Sequence, residues 1–110
     1  MLRESSTTVL ARNETWRGDS ATEPVEAGWA SEAVFFVRAL RAPVGPMPEV
    51  VVEISPDGMH WVREGASVAM PTKENEIAAV RVAHFGNWLR LRAVLPEGSE
   101  CVVLVTVHLK

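Results

Sequence analysis

At 110 residues, 12.1 kDa and 47% hydrophobic content, the chain has enough apolar material for one core and is expected to form a single domain. Its formal net charge is −3 and its eleven Lys and Arg are scattered singly; with no basic stripe to follow a phosphate backbone, nucleic acid is excluded as an expected partner. The opening "MLRESSTTVLARNETW" lacks the apolar centre of a signal peptide, and no apolar run is long enough to span a membrane, so a protein made and assembled in the cytoplasm without membrane contact is expected.

In chain order, residues 1–32 read as an irregular N-terminal arm with one short strand, Thr7 to Ala11, because the segment is polar and interrupted. Within it, "WRGDS" contains the tripeptide Arg17-Gly18-Asp19, which integrins recognise through a guanidinium and a carboxylate held apart on a loop. Gly-Asp-Ser is also ordinary turn chemistry, and the sequence leaves the tripeptide's role open.

Residues 33–110 read as the sandwich proper. Short runs of Val, Ile, Phe and Leu predict strands at Ala33 to Leu40, Val50 to Ser55, His60 to Arg63, Ser67 to Met70, Ile77 to Ala83, Trp88 to Leu95 and Cys101 to Leu109. Between them, "RAPVGPMPE", "SPDG", "REGA", "MPTKENE", "HFGN" and "LPEGSE" carry turn residues. No stretch keeps a helical period, so the expected fold is all-β: an antiparallel β-sandwich of jelly-roll type with seven or eight strands.

Alternation shows which side faces in. Leu89, Leu91 and Ala93 share one face of their strand while Trp88, Arg90 and Arg92 share the other, the pattern of a sheet with one wet side. The expected core is Phe35, Val37, Val52, Ile54, Val80, Val82, Leu89 and Leu91. The last strand, "CVVLVTVHL", is apolar on both faces and should be either central in its sheet or covered by another subunit. That surplus predicts a homo-oligomer, with Met1 to Glu23 reaching across a neighbour.

In "VVVEISPDGMHWV", Pro56 presets φ for a tight turn, Asp57 suits the next position and Gly58 supplies a left-handed residue, so a three- to four-residue hairpin loop needs no ligand to explain it. Trp61 should then pin the hairpin by a cross-strand pair or stand exposed as a stacking platform for a sugar. Trp88 beside Arg90 and Arg92 has the composition of a binding surface or of a cation–π stack covering the sheet. Trp61, Trp88, Arg90 and Arg92 are therefore the candidate partner or glycan surface.

Chemistry is sparse elsewhere. Cys101 lies in an apolar run and reads as a core residue; His60, His84 and His108 lack the close spacing of metal ligands; Glu74 with Glu76 and Glu97 with Glu100 sit on loops as solvated charge. No nucleophile elbow or phosphate-binding glycine loop is present, so no catalytic residue, metal site or cofactor is expected and the chain does not read as an enzyme.

The segments "VEISPDGMHWVREG" and "VRVAHFGNWLRLRAVLPEGSECVVLVTVHLK", with Ser55, Asp57, Gly58, Trp61, Gly86, Leu89 and Arg90 as carriers, resemble small β-sandwich domains of bacteriophage structural proteins. The resemblance covers roughly Phe35 to Lys110 and implies a non-catalytic capsid-decorating or tail-associated subunit, located in a phage or phage-like particle, contacting other particle proteins and, from the way such subunits sit at particle symmetry axes, associating as a trimer rather than a dimer. The same elements are similar to discoidin-like carbohydrate-binding sandwiches, which implies the alternative of a carbohydrate-binding module using an exposed Trp as its platform.

Overall fold

The computed structural model describes residues 5–110, all strand, turn and loop. Nine strands run in the order β1 (Ser6–Trp16), β2 (Asp19–Ala21), β3 (Val25–Glu26), β4 (Glu32–Ala39), β5 (Glu49–Ser55), β6 (Val62–Ala69), β7 (Ile77–Ala83), β8 (Trp88–Val94) and β9 (Cys101–Leu109). They form two antiparallel sheets, a first sheet ordered β1-β9-β4-β7 and a second ordered β2-β8-β5-β6 with β3 also on β8. With β2 and β3 counted as one interrupted strand, this interleaving is the jelly-roll order in which most connections cross from sheet to sheet. No helix in the described residues is long and apolar enough to cross a membrane.

Alternation places the core between the sheets. Along β9, Cys101, Val103, Val105, Val107 and Leu109 are buried while Val102, Leu104, Thr106 and His108 are half-buried on the outside. Being flanked by β1 and β4, β9 is central in its sheet, with one apolar face in the core and the other only half-covered by the neighbouring strands. Phe35, Val37, Val52, Leu89 and Leu91 are fully buried and Val80 and Val82 nearly so, as expected. Ile54 is only half-buried, because it pairs with Leu89 and Val62 where β5 gives way to the hairpin. Truncating a side chain such as Phe35 to Ala in a core of this kind costs about 3–5 kcal/mol.

Three local readings change. Residues 6–26 contribute three strands rather than one short one: β1 is eleven residues long and pairs with β9 from Ser6↔Leu109 to Trp16↔Cys101. The polar residues that made this segment look irregular are those on its exposed positions and at two register shifts, where the alternation is broken. Ser6 to Ala21 therefore belong to this chain's own sheets instead of forming an arm, and residues 1–4 of that expected arm lie outside the described residues. The expected strands His60 to Arg63 and Ser67 to Met70 are one strand, β6; Gly65, at φ 118°, is inside it near a register shift rather than in a turn.

Candidate functional site

The four candidate residues converge on the outer face of the second sheet. On β8, Trp88, Arg90 and Arg92 point outward at alternate positions, opposite Ser55, Glu53 and Val51 of β5. Trp61 does not make a cross-strand pair. It ends the β5–β6 connection, and its ring lies under the Arg90 guanidinium, 4.3 Å from Cζ to the ring centroid. Arg90 also donates from Nε to Glu53 Oε1 at 2.7 Å. Arg92 donates from Nε and Nη2 to the two carboxylate oxygens of Asp19, both at 2.8 Å, and its Nη1 lies 3.6 Å from Glu53 Oε2. The face thus carries a line of alternating charge, Asp19, Arg92, Glu53 and Arg90, whose signs cancel.

Glu53 anchors this line. Its side chain is 6% exposed although it points away from the core, since Arg90 and Arg92 close over it. A carboxylate removed from water needs such partners, and here the two guanidiniums are at once its counter-charges and its cover. Sequence reading missed Glu53 and Asp19. A single Glu in an apolar strand directly across from Arg was the available signal for Glu53; Asp19 lies 73 positions from Arg92, and only topology joins them.

The connection from Pro56 to Trp61 is a side-chain-built turn, longer than the loop expected. Ser55 Oγ accepts from the Gly58 N–H at 2.8 Å and donates to Asp57 Oδ1 at 2.9 Å. The same Oδ1 accepts from the N–H groups of Met59 and His60 at 2.8 and 2.9 Å, while Oδ2 lies 2.6 Å from His60 Nδ1. These bonds, led by that of the His60 N–H, hold the Asp57 carboxyl well below the ordinary carboxylate range. Ser55, Asp57 and His60 do not form a nucleophile and base, because the carboxylate stands between hydroxyl and imidazole. Gly58, at φ 80°, lies flat on Trp88; a Cβ there would meet the indole at 3.3 Å.

Arg17 and Gly18 form the crossing from β1 to β2, and Asp19 is the first residue of β2. Arg17 Nε donates to Glu100 Oε2 at 2.7 Å and Asp19 is held by Arg92, which keeps its carboxyl below its usual value. Both charges an integrin would need are engaged within the chain. The histidines stay apart: His60 is on the hairpin, His84 in the β7–β8 turn, and His108 on β9 with Nδ1 2.9 Å from Thr7 Oγ1. Among the described residues no group of three or more His, Cys, Asp or Glu is placed to hold a metal ion. Cys101 is buried, and desolvation pushes its thiol pKa up, away from thiolate chemistry. Of the loop carboxylates, Glu76 Oε1 accepts from the Thr72 N–H and Glu100 pairs with Arg17.

No family model matches the chain, and no curated protein matches it in sequence. Solved structures do match its fold. The SPBc2 prophage-derived protein YomS aligns with a TM-score of 0.61 over 99% of this chain and 96% of its own, at 12% identity. The PBSX exported protein XepA aligns at 0.58 and 15% identity over 94% of this chain, which spans about a third (34%) of XepA. The carbohydrate-binding module CpGH89CBM32-5 from Clostridium perfringens, in complex with GalNAc-β-1,3-galactose, aligns at 0.52 and 12% identity over 94% of this chain and 93% of its own. The chain therefore has the antiparallel β-sandwich fold found in phage-derived proteins and in carbohydrate-binding modules.

Proposed function

We propose that this chain is a non-catalytic structural or interaction subunit of a phage or phage-like particle, in a capsid-decorating or tail-associated position, assembled with copies of itself and with other particle proteins. The observation that carries the reading is the end-to-end likeness to the prophage-derived YomS, in which neither chain has a substantial part left over. The site agrees with it: the candidate side chains are locked to one another in ion pairs and stacks, an arrangement suited to a rigid surface rather than to proton transfer. The test is prophage induction in the source organism followed by mass spectrometry of gradient-purified particles. Peptides of this chain should co-sediment with coat or tail proteins in fixed ratio; their confinement to the particle-free fraction would reject the reading.

A second reading, a carbohydrate-binding module, is favoured by the likeness to a module complexed with a disaccharide and by Trp61 and Trp88 lying on one surface. Each ring has one face covered, by Arg90 and by Gly58, so a sugar would stack on the opposite face. A glycan array showing a hit that is lost in both Trp61→Ala and Trp88→Ala supports this alternative, and a blank array removes it.

A further inference from the structure

We propose that β7 is a self-association edge, through which two copies of the chain pair β7 to β7 about a two-fold axis at Val80 and join their first sheets into one eight-stranded sheet. The inference stands on the edges of the sandwich, independently of the particle reading.

A sandwich has four edge strands, and an unprotected edge is a template for another strand. Three edges here are blunted. β1 carries two register shifts, Asn13 at φ 52° and the charged pair Arg12 and Glu14. β6 has a register shift, Gly65 and the charged pair Arg63 and Glu64. The remaining edge is broken into β2 and β3, three and two residues long, with Pro24 between them. β7 has none of these devices. It pairs with β4 through seven consecutive residues, Glu32↔Ala83 to Arg38↔Ile77, without a shift, and its sequence "IAAVRVA" holds no Gly or Pro and one charge. β6 of the other sheet lies alongside but shares no ladder with β7.

The hydrogen bonds at the two ends of β7 set its parity. Ala39 N–H donates to the Glu76 carbonyl and His84 N–H donates to the Ser31 carbonyl. In an antiparallel pair the bonded residues alternate, so Ala78, Val80 and Val82 exchange bonds with β4. The N–H and C=O groups of Ile77, Ala79, Arg81 and Ala83 then point away from the sheet. An axis at Val80 sets these outward residues against one another, Ile77 with Ala83 and Ala79 with Arg81 of the second copy, for about eight intermolecular bonds.

Side-chain size fits the same register. Ile77 meets Ala83, Ala78 meets Val82, and Ala79 meets Arg81, so every pair off the axis sets a large residue against a small one, while Val80 meets its own copy over the joined core. Shifting the axis to Arg81 would place two guanidiniums directly opposite, and shifting it to Ala79 would shorten the ladder. The occupant that fits this edge is therefore a second copy of the same strand.

Light scattering of the full chain across about 5–200 µM tests this; such edge pairing gives a modest, concentration-dependent dimer. The expected mass is twice 12.1 kDa at the upper end. Ala79→Lys, on an exposed outward position, puts like charges across the ladder and should weaken the dimer by about tenfold or more, with an unchanged circular dichroism spectrum. Adding Arg81→Glu to it places opposite charges across the same rungs of the ladder and should restore the dimer. A wild-type mass of 12.1 kDa throughout, a mass other than twofold, an unchanged mass in the single variant or no recovery in the double variant would each overturn the proposal.

Discussion

The outer faces of the two sheets are built on the same alternation yet differ in how their side chains are satisfied. On the second sheet, Asp19, Arg92, Glu53, Arg90 and Trp61 bond and stack to one another, so polar and aromatic groups find their partners inside the chain. On the first sheet, Val9 and Phe36 are each 40% exposed and Ile77 56%, with Val34, Leu104 and Thr106 half-buried between them. The register sets Val9, Thr106, Phe36 and Ala79 in one row across β1, β9, β4 and β7. The second face has its charges matched within the chain and leaves Val94 bare at one end, whereas the first carries an apolar row across all four strands, surface of the kind that marks contact with another protein. A charged face is thus no guide to where a partner binds when its charges are already matched.

The largest test of this contrast compares two outward arginines. Arg90→Ala removes the charge-assisted bond to Glu53 and the guanidinium stacked on Trp61 while opening the carboxylate to water, and is expected to lower stability by about 2 kcal/mol in urea unfolding. Arg81→Ala on the first sheet removes an exposed side chain that makes no ion pair among the described residues, and should stay within about 0.5 kcal/mol of the parent. Equal effects would mean that the charged line on the second sheet is not a structural unit.

The next effect is at the hairpin. Gly58→Ala places a Cβ against Trp88 and asks an L residue to hold φ 80°, which costs about 1–2 kcal/mol and should shift Trp fluorescence as the indole is displaced. An unshifted spectrum would show that the ring does not rest on the turn.

These residues also show what could be read from sequence. Period-two alternation in "NWLRLRAVL" placed Leu89 and Leu91 inward and Trp88, Arg90 and Arg92 outward, because one buried face dictates side-chain direction along a regular strand. It failed in β1 and at Gly65, where register shifts break the period, and at Trp61, which lies in a loop whose shape is set by Ser55 and Asp57. The grouping of the candidate residues was legible on β8; the partners Asp19 and Glu53 were fixed by sheet order, which local pattern does not encode.

A smaller effect concerns pH. Asp57 has its carboxyl pKa depressed in the folded chain, so its contribution to stability is fully present above the ordinary carboxylate value and is lost as pH falls through the lower folded value. Asp19, depressed through Arg92, acts in the same direction. Carboxyl NMR titration should find Asp57 still ionised at about pH 3, and Asp57→Asn should flatten the acid side of the stability profile. A midpoint for Asp57 near the ordinary 3.8 would mean that the turn bonds are not kept in solution.

The last effect on stability falls on the apolar face, and it separates surface made for folding from surface left over. Phe36 points outward from β4, across from Thr106 and Ala79, while its neighbours in sequence, Phe35 and Val37, are fully buried. If the exposed row served the fold, removing its largest ring would be costly. Because the ring is 40% in solvent and contributes no polar bond, Phe36→Ser should cost about 1 kcal/mol, well below the roughly 3–5 kcal/mol of truncating the fully buried Phe35. The same variant should bind less of a hydrophobic dye, since it removes the bulk of the patch that Val9, Val34 and Leu104 surround. A loss of several kcal/mol would instead make the row part of the fold, and the contrast between the two faces would disappear.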